Sequence, residues 1–173
     1  PVCQERRRQR PAKKAVDGVS SKETKAFGDR VHIDLVGPTS EGIGPNPEQQ
    51  KSRYLVVCRD DFTSECKVGG IRNKTPADVT AMFRNLYQKE LREKQIRCVM
   101  SDNGTEFTCE FDVFLNEQLI QHLRSIPERP QTNADAERFH WTLADGIRSL
   151  LSLGRMPYIF WLMAAIVFVT HYN

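Results

Sequence analysis

The sequence predicts an α/β domain, a mixed five-stranded sheet with helices on both faces. Two patterns and their punctuation carry that reading. Apolar residues alternate along short segments such as 31–36, as they do on a pleated strand. Elsewhere they recur at helical spacing, over 79–91 and 139–151. Gly-, Pro- and Asn-rich clusters separate these segments. The length of 173 residues suits one core, and 39% apolar with 27% charged residues is an ordinary globular composition.

Each element follows in chain order. Residues 1–27 are polar and basic and read as an arm, leaving 28–173 as the folded domain. Arg30 to Val36 forms a first strand, with Val31, Ile33 and Leu35 on one face, and Gly37-Pro38 ends it. Thr39 to Gln50 is a loop. Tyr54 to Arg59 is a second strand, and Asp60 to Ser64 turns the chain into a third near Glu65 to Ile71. Thr75 caps a helix that begins at Pro76, where a missing N–H does no harm. Its apolar stripe is Val79, Met82, Phe83, Leu86, Tyr87 and Leu91. Ile96 to Ser101 is a fourth strand, Glu110 to Gln121 a short helix, and His122 to Ile126 a fifth strand. After a loop over Pro127 to Thr132, a helix runs from Asn133 to Leu153, burying Phe139, Leu143, Ile147, Leu150 and Leu151. Gly154 and Pro157 separate it from a final helix. Strands and helices in this order suggest helices on both sides of a sheet.

Charge and cysteine usage narrow the class. The net charge is +3 and the pI about 8.7, but Arg6, Arg7, Arg8, Arg10, Lys13 and Lys14 crowd the arm. Such a run is a solvated tail, a phosphate-binding arm or a nuclear-import signal. Five cysteines, with no CxxC pair, fit a reducing environment, and Cys58 and Cys98 fall in apolar strands. The apolar run from Met156 to Val169 is shorter than the roughly 20 residues of a membrane span, so a buried helix is expected there and no membrane partner.

Three carboxylates are unusually placed. Asp34 interrupts an apolar strand, where an ionised group is costly without a cation or hydrogen bonds. Asp102 sits where the fourth strand runs out, the end from which catalytic groups of α/β sheets project. Glu137 lies in the first turns of a helix, beside its apolar stripe. Singly, each has a plain reading: a pair with an arginine, a turn residue, a helix-dipole partner. Together they make a hard oxygen site suited to Mg²⁺ or Mn²⁺. Two such ions activate the attacking oxygen and stabilise the leaving one in an in-line displacement, which points to phosphoryl transfer on nucleic acid.

The motifs around these residues carry a resemblance. Val31-His32-Ile33-Asp34-Leu35-Val36-Gly37-Pro38 resembles the first acidic strand of retroviral and copia-type retrotransposon integrases. Ser101-Asp102-Asn103-Gly104-Thr105-Glu106-Phe107 is similar to their second acidic block, and Pro130-Gln131-Thr132-Asn133-Ala134-Asp135-Ala136-Glu137-Arg138 to their third. Asp102 and Glu137 are 35 residues apart, within one of the family's usual separation. Pro157, Phe160, Trp161 and Ala164 resemble a Pro-x-x-Phe-Trp-x-x-Ala helix of copia-type elements, so the likeness runs from Gly28 to Asn173. Two positions depart from the pattern, Ala134 for a common Gly and His140 for a common Asn.

The resemblance implies a ribonuclease H-like fold and Mg²⁺- or Mn²⁺-dependent joining of retroelement DNA ends to target DNA. It makes Asp34, Asp102 and Glu137 both catalytic residues and metal ligands, with Asp34 shared by two ions. A 3′-hydroxyl attacks the target phosphodiester directly, and water replaces it when ends are trimmed. Self-association into a homo-oligomer is also implied, as is action in the host nucleus or in cytoplasmic virus-like particles. Cys3 looks like the last ligand of a preceding zinc-binding domain whose other ligands are absent. Arg129, Arg138, His140 and Arg148 are the expected DNA contacts, acting on phosphates with little base specificity. Glu106 lies close to Asp102 and is not counted as a ligand. A non-catalytic, domesticated DNA-binding module is the alternative, disfavoured by three intact carboxylates. A ribonuclease or resolvase on the same fold is the other, separated by its substrate.

Overall fold

The computed structural model describes residues 24–125 and 130–173, with backbone alone for 130–137. The arm through residue 23, with Cys3, and the loop residue Arg129 lie outside the described residues. The expected mixed sheet is present, in the order β3-β2-β1-β4-β5. Its strands are β1 (Val31–Val36), β2 (Tyr54–Asp60), β3 (Cys66–Ile71), β4 (Cys98–Ser101) and β5 (Gln121–Arg124). Antiparallel pairing joins β1 to β2 and β2 to β3, and parallel pairing joins β1 to β4 and β4 to β5. The helices are α1 (Pro76–Leu86), α2 (Gln88–Arg92), α3 (Glu110–Glu117), α4 (Pro130–Leu153) and α5 (Trp161–Tyr172).

Alternation along the strands sends apolar groups to two separate cores. Val31, Ile33, Val56 and Cys58 face α1 and α3, packing on Val79, Phe83, Phe111 and Leu115. Leu55, Val57, Cys66 and Val68 face α4 and α5, packing on Phe139, Leu143, Leu162 and Ala165. Two successive glycines on β3 let both layers close. A Cβ on Gly69 would stand 2.2 Å from Met82 Sδ of α1, and one on Gly70 would stand 2.3 Å from Leu162 Cδ2 of α5.

Local chemistry sets the boundaries. Thr75 Oγ1 accepts from Asp78 N at 3.2 Å, the expected cap with Pro76 at the first position. The β2–β3 turn is organised by buried Asp60, whose Oδ2 accepts from Phe62 N (3.1 Å), Thr63 N (2.8 Å) and Thr63 Oγ1 (2.9 Å). Its Oδ1 accepts from Gly28 N at 2.8 Å, tying the start of the domain to the hairpin. The 39–50 loop packs beneath α5: Ile43 N donates to Ile159 O at 2.8 Å, and Trp161 Nε1 donates to Ser40 O at 3.0 Å.

Several boundaries differ from expectation. The stripe over 79–91 is two helices, because Tyr87 leaves helical geometry (φ −116°, ψ 26°) while staying buried. The helix after Glu110 stops at Glu117, since Leu119 turns left-handed (φ 59°) and frees Gln121 to open β5 beside Cys98. The last long helix begins at Pro130, three residues earlier than expected, with proline again at a helix start. Cys58, Cys66 and Cys98 are buried free thiols and Cys109 is exposed. Among the described residues no helix is long and apolar enough to cross a membrane.

Candidate active site

The site is built at the C-terminal ends of the two central parallel strands. In the register of β1 and β4, Val31 lies beside Val99 and His32 beside Met100. Two further steps bring Asp34 level with Asp102, one residue past the end of β4, across a spacing of about 4.8 Å. Asp34 points to the sheet face that α4 and α5 cover, since its neighbours Ile33 and Leu35 belong to the other core.

Asp34 is half-buried. Its Oδ1 accepts from Leu35 N at 2.7 Å, and its Oδ2 lies 3.5 Å from His140 Nε2 on α4. Burial pushes its carboxyl above the ordinary aspartate value, and the negative charge of Asp102 pushes the same way. The Leu35 N–H, His140 and Lys74 oppose the rise without cancelling it. A cation between the two carboxylates would relieve both the burial cost and their mutual repulsion.

Asp102 is exposed, and a brace of hydrogen bonds holds the turn that carries it. Its Oδ1 accepts from Gly104 N at 2.8 Å, and Asn103 Nδ2 donates to Ser125 O at 3.1 Å. Below it, Ser101 Oγ donates to Asp102 O at 2.9 Å and lies 2.9 Å from His122 Nε2. The His122 Nδ1 is 2.5 Å from Asp112 Oδ1, and Arg124 Nη2 donates to Asp112 Oδ2 at 2.7 Å. This Ser-His-Asp array has the connectivity of a nucleophilic triad, yet Ser101 is 3% exposed and spends its proton on a carbonyl. It positions Asp102.

Glu106 is 2% exposed and forms an ion pair with Lys74 at 2.9 Å. The hydrogen bond to Glu106 raises the Lys74 ammonium above its ordinary value, and the charge of Asp102 adds to it. Lys74 belongs to the loop between β3 and α1 and went unnoticed in the sequence, where it is one lysine ahead of a helix cap. The brace of His122, Asp112 and Arg124 is equally silent, being split between β5 and α3.

Glu137 belongs to α4, three residues before His140, hence about 4.5 Å along the axis and some 60° away around the helix. Its side chain lies outside the described residues. Among those described, no three His, Cys, Asp or Glu side chains gather closely enough to hold a metal ion. Phe139, buried in the second core with the Arg59 guanidinium 5.7 Å from its ring centroid, fixes the rotation of this part of α4.

The expected DNA contacts fall in different places. His140 is against Asp34, and Arg138 is exposed next to it. Arg148 is exposed farther along α4, paired with Asp145 at 2.7 Å. Ten residues of helix separate the two arginines, about 80° in rotation and 15 Å in rise, so they do not share one narrow stripe. Trp141 is largely exposed, whereas Trp161 is buried.

The Pol polyprotein of transposon TNT 1-94 from Nicotiana tabacum, described as retrovirus-related, is 32% identical to the chain over 136 residues, 77% of its length. The chain is a homologue of the retrovirus-related Pol polyproteins of transposons. The corresponding polyprotein of transposon RE1 from Arabidopsis thaliana is 31% identical over 110 residues, 63% of the chain. The chain spans about a tenth of the length of these relatives, 10% and 7% respectively. No protein-family model matches it. The crystal structure of the catalytic core domain of BIV integrase superposes with a TM-score of 0.63 at 18% identity, covering 84% of each chain. That likeness bears out the ribonuclease H-like fold.

Proposed function

We propose that this chain is an integrase catalytic core that joins 3′ ends of retroelement DNA to target DNA by transesterification, using Asp34, Asp102 and Glu137. One observation carries the reading: β1 and β4 run parallel in a register that brings two carboxylates level at their strand ends, and α4 crosses beside Asp34 with His140 at 3.5 Å. The homology to Pol polyproteins supports it. The donor set fits a hard divalent cation, because both carboxylates are oxygen ligands and Asp34 resists charging alone.

Mg²⁺ or Mn²⁺ held by Asp34, Asp102 and Glu137 would supply the Lewis acidity that an attack on a phosphodiester needs. The chain's own groups do the rest. The turn braced by Ser101 and His122 keeps Asp102 at the strand end, and the Phe139 anchor keeps α4 in rotation over Asp34. His140, Arg138, Arg148 and Arg129 are the groups assigned to DNA phosphates. Their contributions are electrostatic and salt-sensitive. The partners in this reading are element ends, target DNA and further copies of the chain, in the host nucleus or in cytoplasmic virus-like particles.

The test is strand transfer between labelled oligonucleotide duplexes with Mg²⁺ or Mn²⁺. Asp34→Asn, Asp102→Asn and Glu137→Gln are each expected to lower the rate about a thousandfold, roughly 4 kcal/mol of barrier, with unchanged circular dichroism. Wild-type rates in any of the three would refute the assignment. Binding of DNA by the unaltered chain without metal-dependent nicking or joining would favour a non-catalytic module.

A further inference from the structure

Lys74 and Glu106 take no part in the proposal above, yet they form the most tightly built charged feature beside the acidic pair. Burying a carboxylate as completely as Glu106 is costly unless a cation meets it, and an apolar residue would fill the same space at less cost. The pair is therefore a poor device for stability alone. The Asp102-Asn103-Gly104 turn lies directly on the Glu106 carboxylate. A Cβ at Gly104 would stand 2.5 Å from Oε1 and 2.6 Å from Oε2. Asp102, Gly104, Glu106 and Lys74 thus form one continuous stack, joined by the Gly104 N–H to Asp102 (2.8 Å) and by the ion pair (2.9 Å). Lys74 is half-exposed at the end of this stack. An ammonium has three donors, and among the described residues only Glu106 accepts a hydrogen bond from this one.

We infer that Lys74 binds a phosphate oxygen of the nucleic-acid strand entering the Asp34–Asp102 cluster, and that Glu106 is the positioning residue that aims it. The inference rests on the nucleic-acid reading of the site. Two neighbouring carboxylates repel an incoming phosphodiester, and a fixed cation at their edge offsets that repulsion. The positive charge of Lys74 already acts on both aspartates, which puts it within electrostatic reach of whatever they hold. A lysine anchored by a buried carboxylate makes the contact from a set direction, where a free surface lysine would sample many.

The experiment measures association of the full chain with a duplex oligonucleotide across a salt series, in chelator, so that metal loading plays no part. Removing one phosphate contact lowers the slope of log affinity against log salt by about 0.9. Lys74→Gln combined with Glu106→Gln, which leaves no buried charge stranded, is expected to show that loss with severalfold weaker binding. Lys74→Arg is expected to restore the slope, and Glu106→Gln alone to keep the slope while raising the KM for DNA in strand transfer. A purely structural pair would move none of these. Acetylation of Lys74 in the unaltered chain, with and without duplex, gives a measurement independent of variant folding, and protection of at least fivefold is expected. An unchanged slope in the double variant, or no protection of Lys74, would overturn the inference. If Asp102→Asn abolishes joining while the slope survives Lys74 removal, the lysine assignment alone falls. If the slope changes but the unaltered chain joins no DNA, only the integrase reading falls. Failure of the unaltered chain to bind DNA would overturn both.

Discussion

Gly104→Ala tests the stack beneath Asp102. The backbone at Gly104 (φ −59°, ψ 145°) is open to any residue, so the substitution carries no backbone strain. The added methyl would stand 2.5–2.6 Å from three atoms of the Glu106 carboxyl group, which is buried and tethered to Lys74. Overpacking of this kind costs about 1–3 kcal/mol. For a domain of this size that lowers the melting temperature by roughly 2–4 °C per kcal/mol. In a Glu106→Ala background the obstructing atoms are gone, and the same change should stabilise by about 0.4–1 kcal/mol through the unfolded chain. The two backgrounds should therefore differ by about 1.4–4 kcal/mol, read from urea denaturation of the unaltered chain, both single variants and the double. An equal cost of Gly104→Ala in both backgrounds would refute the contact.

Other outcomes follow from the same geometry. The Asp34 carboxyl is raised in the folded chain, so its penalty is absent below the unfolded value and grows as pH rises through the folded one. Asp34→Asn should accordingly raise the melting temperature near neutral pH, with the gain vanishing under acid conditions. Mg²⁺ or Mn²⁺ should stabilise the unaltered chain and not that variant. Gly42→Ala puts a methyl 2.3 Å from Trp161 Nε1, so it should cost about 1–3 kcal/mol. It should also shift the buried-indole fluorescence to the red, Trp141 being exposed already. In a Cys3→Ser chain, one thiol equivalent, Cys109, should react rapidly with a disulfide reagent at pH 8. Burial pushes Cys66 and Cys98 up to about 11 and Cys58 higher still.

Much of the fold was legible because strands and helices announce themselves by period. The alternation of Val31, Ile33 and Leu35 isolates Asp34 as a carboxylate within an apolar strand, and the Ser-Asp-Asn-Gly block marks the end of β4. Boundaries were less legible where a single residue leaves the pattern, as Tyr87 and Leu119 do, since apolar spacing continues through a change of dihedral angle. Pro130 reads as loop because proline punctuates chains, although it also suits a first helical turn. Lys74 and the His122 brace were hidden for another reason. Their partners are remote in sequence, 32 residues from Lys74 to Glu106 and 21 from Ser101 to His122. Pairing over such distances is set by sheet order and not by local pattern.

The two cores have unequal duties. One seats both strands of the acidic pair against α1 and α3, while the other alone carries the helix bearing position 137. Within that second layer, Gly146 of α4 lies so close to Phe168 of α5 that a methyl there would stand 2.2 Å from the ring. Neither helix can therefore shift at this point without displacing the other, so the seating of α4 over the sheet is set jointly with that of α5.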